Sequence, residues 1–124
     1  MSREPSRLAD YLGHIAESIA RIQRYTAGLD AASFTASEMA QDAVIRNREV
    51  IGEASRNIAR EYPDFAAAHP GLPLGAAYEM RNALAHGYFK VDLGIVWNTL
   101  QRDLLPLAKQ VRGLLASIGP APNT

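Results

Sequence analysis

Apolar residues recur every three or four positions through most of this chain, and that spacing suits helices rather than strands. Leu8, Leu12, Ile15, Ile19 and Ile22 are separated by 4, 3, 4 and 3 positions, so they fall on one stripe of a helix with about 3.6 residues per turn. Asp10, Glu17, Arg21 and Arg24 stand between them and read as the solvated face, and Gly28 is the expected stop. A second long series near the other end, Ile95, Val96, Leu100, Leu104, Leu107, Val111, Leu114 and Ile118, follows Asp92 as its expected N-cap. Pro106 inside that series is expected to kink or break the helix. No alternating strand pattern, internal repeat or interdomain linker interrupts the reading. The expectation is an all-α, up-and-down bundle of four to five helices.

The middle of the chain supplies the remaining elements. Thr35 and Glu38 are spaced as a capping box, with Phe34 and Met39 at the two positions of a hydrophobic staple, which predicts a helix starting near Thr35. It continues through Ala43, Val44, Val50, Ile51, Ala54 and Ile58 until Pro63 ends it. Its other side carries a polar stripe, Asp42, Arg46, Glu49, Glu53, Asn57 and Arg60. From Tyr62 to Leu74 three prolines and a glycine predict a loop with at most one short turn. A shorter helix is then expected from about Leu74 to His86, with Ala77, Met80 and Leu84 inward and Gly87 as its C-terminal stop.

The 124 residues fit one domain, placed at 1–118, with a loose tail at 119–124. Thirteen basic residues balance thirteen acidic ones. A non-specific nucleic-acid binder usually carries a basic surplus, because phosphate neutralisation supplies most of its affinity. Contact with RNA would therefore need a local basic cluster or charge pooled between subunits. The lack of cysteine excludes disulfides, thiolate metal sites and a cysteine nucleophile. The charged start has no signal-peptide core and no apolar run approaches the ~20 residues that cross a bilayer. The expected location is the cytoplasm, with no membrane association and no cofactor.

Chemistry concentrates in Arg81-Asn82-Ala83-Leu84-Ala85-His86-Gly87-Tyr88. Arginine presents a planar, permanently charged fork suited to phosphate oxygens, and histidine can take and return a proton near neutral pH. The two suffice for RNA cleavage without a metal: one activates a ribose 2′-hydroxyl, the other stabilises charge on the five-coordinate phosphate. Five positions along a regular helix amount to about 500°, so Arg81 and His86 point about 140° apart. Either the helix deforms at its end or a second copy completes the site, and a two-fold dimer is favoured. On spacing alone, an arginine and a histidine near a helix C-terminus are more often partners of the helix dipole or C-caps than catalysts, and Tyr88 reads as an ordinary core or rim aromatic.

The pattern Arg-x4-His-x-Tyr, here Arg81, His86 and Tyr88 within MRNALAHGYFKVDLGIVW, resembles the signature of HepT-like proteins of the HEPN superfamily. The block QDAVIRNREVIGEASRNI, from Gln41 to Ile58, resembles the same family, and the likeness extends from about Leu8 to Leu107. The resemblance implies a homodimeric ribonuclease toxin of a toxin–antitoxin pair, with Arg81 and His86 catalytic in a cleft at the dimer interface and Asn82 accessory. It also implies a partner antitoxin, a minimal nucleotidyltransferase of the MntA type, that transfers AMP onto Tyr88. Glu53 and Arg46 on the polar stripe are accessory candidates that would line the cleft and position Arg81. A solvated face held by helical ion pairs is the competing reading of that stripe. The rival for the whole protein is a non-catalytic substrate-binding or regulatory subunit of a nucleotidyltransferase. Pro73 followed by Leu74, where relatives commonly carry tryptophan, is a departure that puts local packing in doubt. His14, read as a helix-surface residue, and His69, read as a loop residue, match nothing functional.

Overall fold

The computed structural model describes residues 5–75, 77–78 and 93–118, and among them every regular element is helical. The first helix, α1 (Pro5–Thr26), follows the predicted stripe closely: Leu12, Ile15, Ile19 and Ile22 are sealed from solvent, and Leu8 nearly so. Asp10, Glu17, Arg21 and Arg24 are exposed as expected. Just past its end Gly28 takes φ 80°, the left-handed conformation that a side chain would strain.

Two short elements depart from the predicted start of the second helix. A one-and-a-half-turn helix, α2 (Ala31–Ala36), precedes α3 (Glu38–Glu61). The capping box belongs to Asp30 and Ser33: the Asp30 carboxylate accepts from the Ser33 backbone N–H at 2.8 Å, and the Asp30 N–H donates to the Ser33 hydroxyl at 2.9 Å. Thr35 lies inside α2, where its hydroxyl donates back to the Ala31 carbonyl at 2.8 Å. Ser37 caps α3 instead, accepting from the Ala40 N–H at 3.1 Å. The staple fails with the box. Met39 is 83% exposed, whereas Phe34 is buried against Trp97 with ring centroids 5.1 Å apart. Burial of Phe34 decides the outcome, because a chain turning at Asp30 can deliver that ring to the core.

Pro63 ends α3 as predicted but also opens a further helix, α4 (Pro63–Ala68), where its missing N–H costs nothing at the first position. Leu72 and Leu74 are buried, and residues 74–75 and 77–78 are helical, with Ala77 turned into the core. The predicted inward positions Met80 and Leu84, the stop at Gly87, the cap at Asp92 and the tail 119–124 lie outside the described residues.

The last described helix, α5 (Leu93–Ile118), passes through Pro106 without a break. Pro106 sits on the exposed side, where water can stand in for the N–H that proline lacks. Val96, Leu100, Leu104, Leu107 and Val111 are buried, while the side chains of Ile95 and Ile118 lie outside the description. α1 packs against both α3 and α5, α2 bridges α3 and α5, and α4 packs on α3. One apolar cluster joins them all. α1 is therefore the central post of the bundle, and its two flanks meet different partners.

Candidate functional site

Arg81, Asn82, His86 and Tyr88, on which the sequence concentrates its chemistry, lie outside the described residues. The described start of their segment shows where it departs from. Tyr78 is half-buried, and the Arg56 guanidinium of α3 stands 5.6 Å from its ring centroid. The segment thus sets out beside the C-terminal half of α3.

Toward the N-terminus of α3, at steps of four from Arg56, come Gly52 and then Arg48. Gly52 is buried and Arg48 is only 4% exposed. A guanidinium withdrawn from water needs polar or ring contacts to compensate its lost hydration; Arg48 is not without interactions, yet its buried Nε finds no hydrogen-bond partner among the described residues. Sequence reasoning passed over it in favour of Arg46, although the signal was present. Val44, Arg48, Ile51, Ser55 and Ile58 are spaced 4, 3, 4, 3, so Arg48 occupies a core position on α3. Neighbouring Asn47 is also buried and satisfies itself by donating from Nδ2 to the Ala43 carbonyl at 2.8 Å.

The two accessory candidates on the polar stripe, Arg46 and Glu53, come together in an open groove of about 530 Å³ between α1 and α3. Glu49, Val50, Ala54 and Asn57 complete its α3 wall, and Tyr11 and His14 form its α1 wall. Asp42 and Arg60 of the same stripe are not part of this lining. Arg46 Nη1 stands 3.7 Å from Glu49 Oε1, an exposed pair three residues apart. That much of the ion-pair reading of the stripe holds, though its pairing is i,i+3.

One end of the groove is held by Glu61. The Tyr11 hydroxyl donates to both of its carboxylate oxygens, at 3.1 and 3.2 Å, while Arg7 and Arg60 approach to 3.6 and 3.8 Å. Desolvation, followed by the bond to Glu61, holds the Tyr11 phenol above its usual range, so it stays protonated and keeps donating. Arg60 Nη2 also donates to Asn57 Oδ1 at 3.0 Å. His14 is the exposed surface residue expected of it, but it faces α3 across this groove and so stands beside the stripe. Nothing local to α1 announces that, because the residues opposite His14 lie more than thirty positions away. His69 ends α4, its ring tilted against Phe65 with centroids 4.3 Å apart and Nδ1 2.9 Å from the Phe65 carbonyl. Among the described residues no group of three histidine, aspartate or glutamate side chains is placed to hold a metal ion, and no helix is long and apolar enough to cross a membrane.

The chain is similar to known proteins over most of its length. Residues 15–114 match the family described as "Ribonuclease HepT-like". A Thermococcus cleftensis protein, provisionally named ribonuclease HepT, is 41% identical over 95 residues, which are 77% of this chain and 84% of that one. A Methanocaldococcus jannaschii protein, named a gamma-glutamylcyclotransferase and provisionally an RNase, is 36% identical over 113 residues. Those are 91% of this chain but 50% of the relative, so the chain spans half of that protein's length. A Caldanaerobacter subterraneus protein, provisionally named an RNase, is 31% identical over 105 residues, 85% of this chain and 91% of its own. No solved structure matches the chain.

Proposed function

The chain belongs to the HepT-like ribonuclease family, and on that premise we propose that it is an endoribonuclease toxin that cuts RNA without a metal. The observation that carries this reading is the motif itself: Arg81, His86 and Tyr88 stand in sequence within the matched residues 15–114. His86 takes the proton from a ribose 2′-hydroxyl, the 2′-oxygen bonds to the adjacent phosphorus, and Arg81 stabilises the charge gathering on the phosphate oxygens. The P–O5′ bond then breaks and the departing oxygen is protonated, giving a 2′,3′-cyclic phosphate and a 5′-hydroxyl. A homodimer would bring two such segments to one cleft and pool their charge, which answers the balanced count of thirteen basic and thirteen acidic residues.

Regulation belongs to the same reading. A minimal nucleotidyltransferase antitoxin of the MntA type would transfer AMP from ATP to the Tyr88 oxygen. Each AMP would place a negative phosphodiester and a nucleoside close to Arg81, and repulsion and bulk together would exclude RNA.

Expression without the antitoxin tests the proposal. The wild type should arrest growth and cleave RNA in the presence of EDTA. Arg81→Ala and His86→Ala should each lower cleavage by about 10²–10⁴-fold, the usual share of one positioned acid–base or charge-stabilising group. Tyr88→Phe should abolish the partner-dependent mass gain of AMP. Harmless wild-type expression, with no cleavage by the purified protein, overturns the reading.

A further inference from the structure

Contact with an RNA backbone asks for arginines that are exposed and not already neutralised, and the balanced charge of this chain makes them scarce. On α1 and α3 most are committed. Arg21 stands 3.4 Å from Glu17, Arg46 3.7 Å from Glu49, and Arg7 and Arg60 reach Glu61 at 3.6 and 3.8 Å. Arg48 is withdrawn from water. Arg24 and Arg56 differ from these. Each is exposed and stands against a tyrosine ring, 5.4 Å from the centroid of Tyr25 and 5.6 Å from that of Tyr78 respectively. Neither is paired with a carboxylate among the described residues.

A tyrosine ring holds a guanidinium through its face without cancelling the charge, so the fork is restrained yet still able to take an anion. Position separates the two arginines. Arg24 lies in the last turn of α1, and its tyrosine is the next residue of the same helix. Arg56 is joined instead to the residue from which the chain runs toward the motif. Tyr78 and Arg81 are three residues apart, and three residues span at most about 11 Å by any path. One short RNA can therefore meet both Arg56 and Arg81. The core makes no use of Arg56: Ala54, Ser55 and Ile58 are buried around it while it faces solvent.

We propose that Arg56 is a phosphate-binding residue of the substrate site, holding the RNA backbone beside the nucleotides on which Arg81 and His86 act, with the Tyr78 ring keeping its guanidinium in place. The assignment rests on the ribonuclease reading above. Its contact is with phosphate oxygens, so it carries no preference among bases. Arg56 supplies affinity and leaves the proton transfers to His86.

The test titrates the full-length His86→Ala protein, which holds RNA without cutting it, with short single-stranded RNAs of two unrelated sequences at several salt concentrations. Adding Arg56→Ala should weaken both by about tenfold and flatten the slope of log affinity against log salt by about 0.7, one phosphate contact on a single strand. Arg56→Lys should keep the slope, because it keeps the charge. Arg24→Ala, matched in charge and ring contact but not joined to Tyr78, should leave affinity within about twofold. With His86 intact, Arg56→Ala should raise KM and leave kcat nearly unchanged.

Unchanged affinity and slope in Arg56→Ala overturn the assignment. So does an Arg56→Lys slope as flat as that of Arg56→Ala, which would trace the loss to packing on Tyr78. An equal loss in Arg24→Ala overturns it as well, by making the effect one of net charge. An Arg56→Ala protein that binds RNA normally but is no longer adenylylated by the nucleotidyltransferase would place Arg56 in a protein contact instead. In each of these cases cleavage by the wild type, lost in His86→Ala, leaves the ribonuclease reading standing. Absence of cleavage and of RNA binding in the wild type removes both.

Discussion

α1 and α3 meet along a dry seam and, on its flank, along a wet groove, and the two differ by one residue step, about 100° of rotation, around each helix. On the seam stand Leu12, Ile15, Ile19, Val44, Ile51 and Ile58, each exposed by no more than 1%. On the flank stand Tyr11, His14, Arg46, Glu49, Glu53 and Asn57. Tyr11 is the immediate neighbour of Leu12, and His14 of Ile15. The seam is where burial supplies stability, while the groove keeps its polar groups within reach of water and of a ligand. The contrast teaches that one helix pair can be closed by hydrophobic burial on one line and leave the next line free for recognition.

The sharpest way to break that contrast is to cut into each side in turn. Ile19→Ala on the seam should destabilise the protein by about 2–5 kcal/mol, and Phe34→Ala, which also removes the ring packed on Trp97, by about 3–5 kcal/mol. Glu49→Ala in the groove should change stability by no more than about 0.5 kcal/mol, since its pair with Arg46 is exposed. Urea denaturation measures all three. Comparable losses on the two sides would mean that the groove is structural.

A second comparison sharpens the register of α3, which decides which residues face seam and groove. Ser37→Ala should cost about 1 kcal/mol by removing the hydroxyl that accepts from the Ala40 N–H, whereas Thr35→Ala should be nearly neutral. The reverse order of midpoints in a denaturant titration would restore the helix start that the Thr35–Glu38 spacing predicts.

The smallest effect concerns acid. Hydrogen bonds from the Ser33 backbone and side chain hold the Asp30 carboxyl below its ordinary value of 3.8. A carboxylate whose folded pKa is depressed contributes stability above its unfolded pKa and loses it as pH falls through the folded one. Replacing Asp30 by asparagine, which retains a capping oxygen, should therefore flatten the loss of stability below about pH 4 and change little at neutrality. Thermal melts of the two proteins from pH 7 to pH 3 give the difference directly.

Much of the fold was legible from spacing. The stripes on α1 and α5, the end of α3 at Pro63 and the stop at Gly28 each rest on a local rule that the tertiary structure leaves intact. The start of α3 was misjudged because two capping sequences lie within ten residues, and local chemistry satisfies either. Burial of Phe34 against Trp97, more than sixty positions away, chooses between them. The helix at α4 was hidden for a similar reason: Pro63 reads equally as a stop and as a first helical residue. Of the candidate site, Arg46 and Glu53 were legible as members of a polar stripe, but their company was not.

Sequence alone determined the three long helices α1, α3 and α5, the main apolar stripe of each and the Arg81, His86, Tyr88 motif, because periodicity and residue chemistry are properties of one segment. Tertiary structure alone decided that Tyr11 and His14 line one groove with Arg46, Glu49 and Asn57, and that Arg48, on a polar-looking stretch, is withdrawn from water. A residue's angle about its own helix axis follows from counting. What lies opposite it depends on how two helices are set against each other, and only the packing of the whole core fixes that.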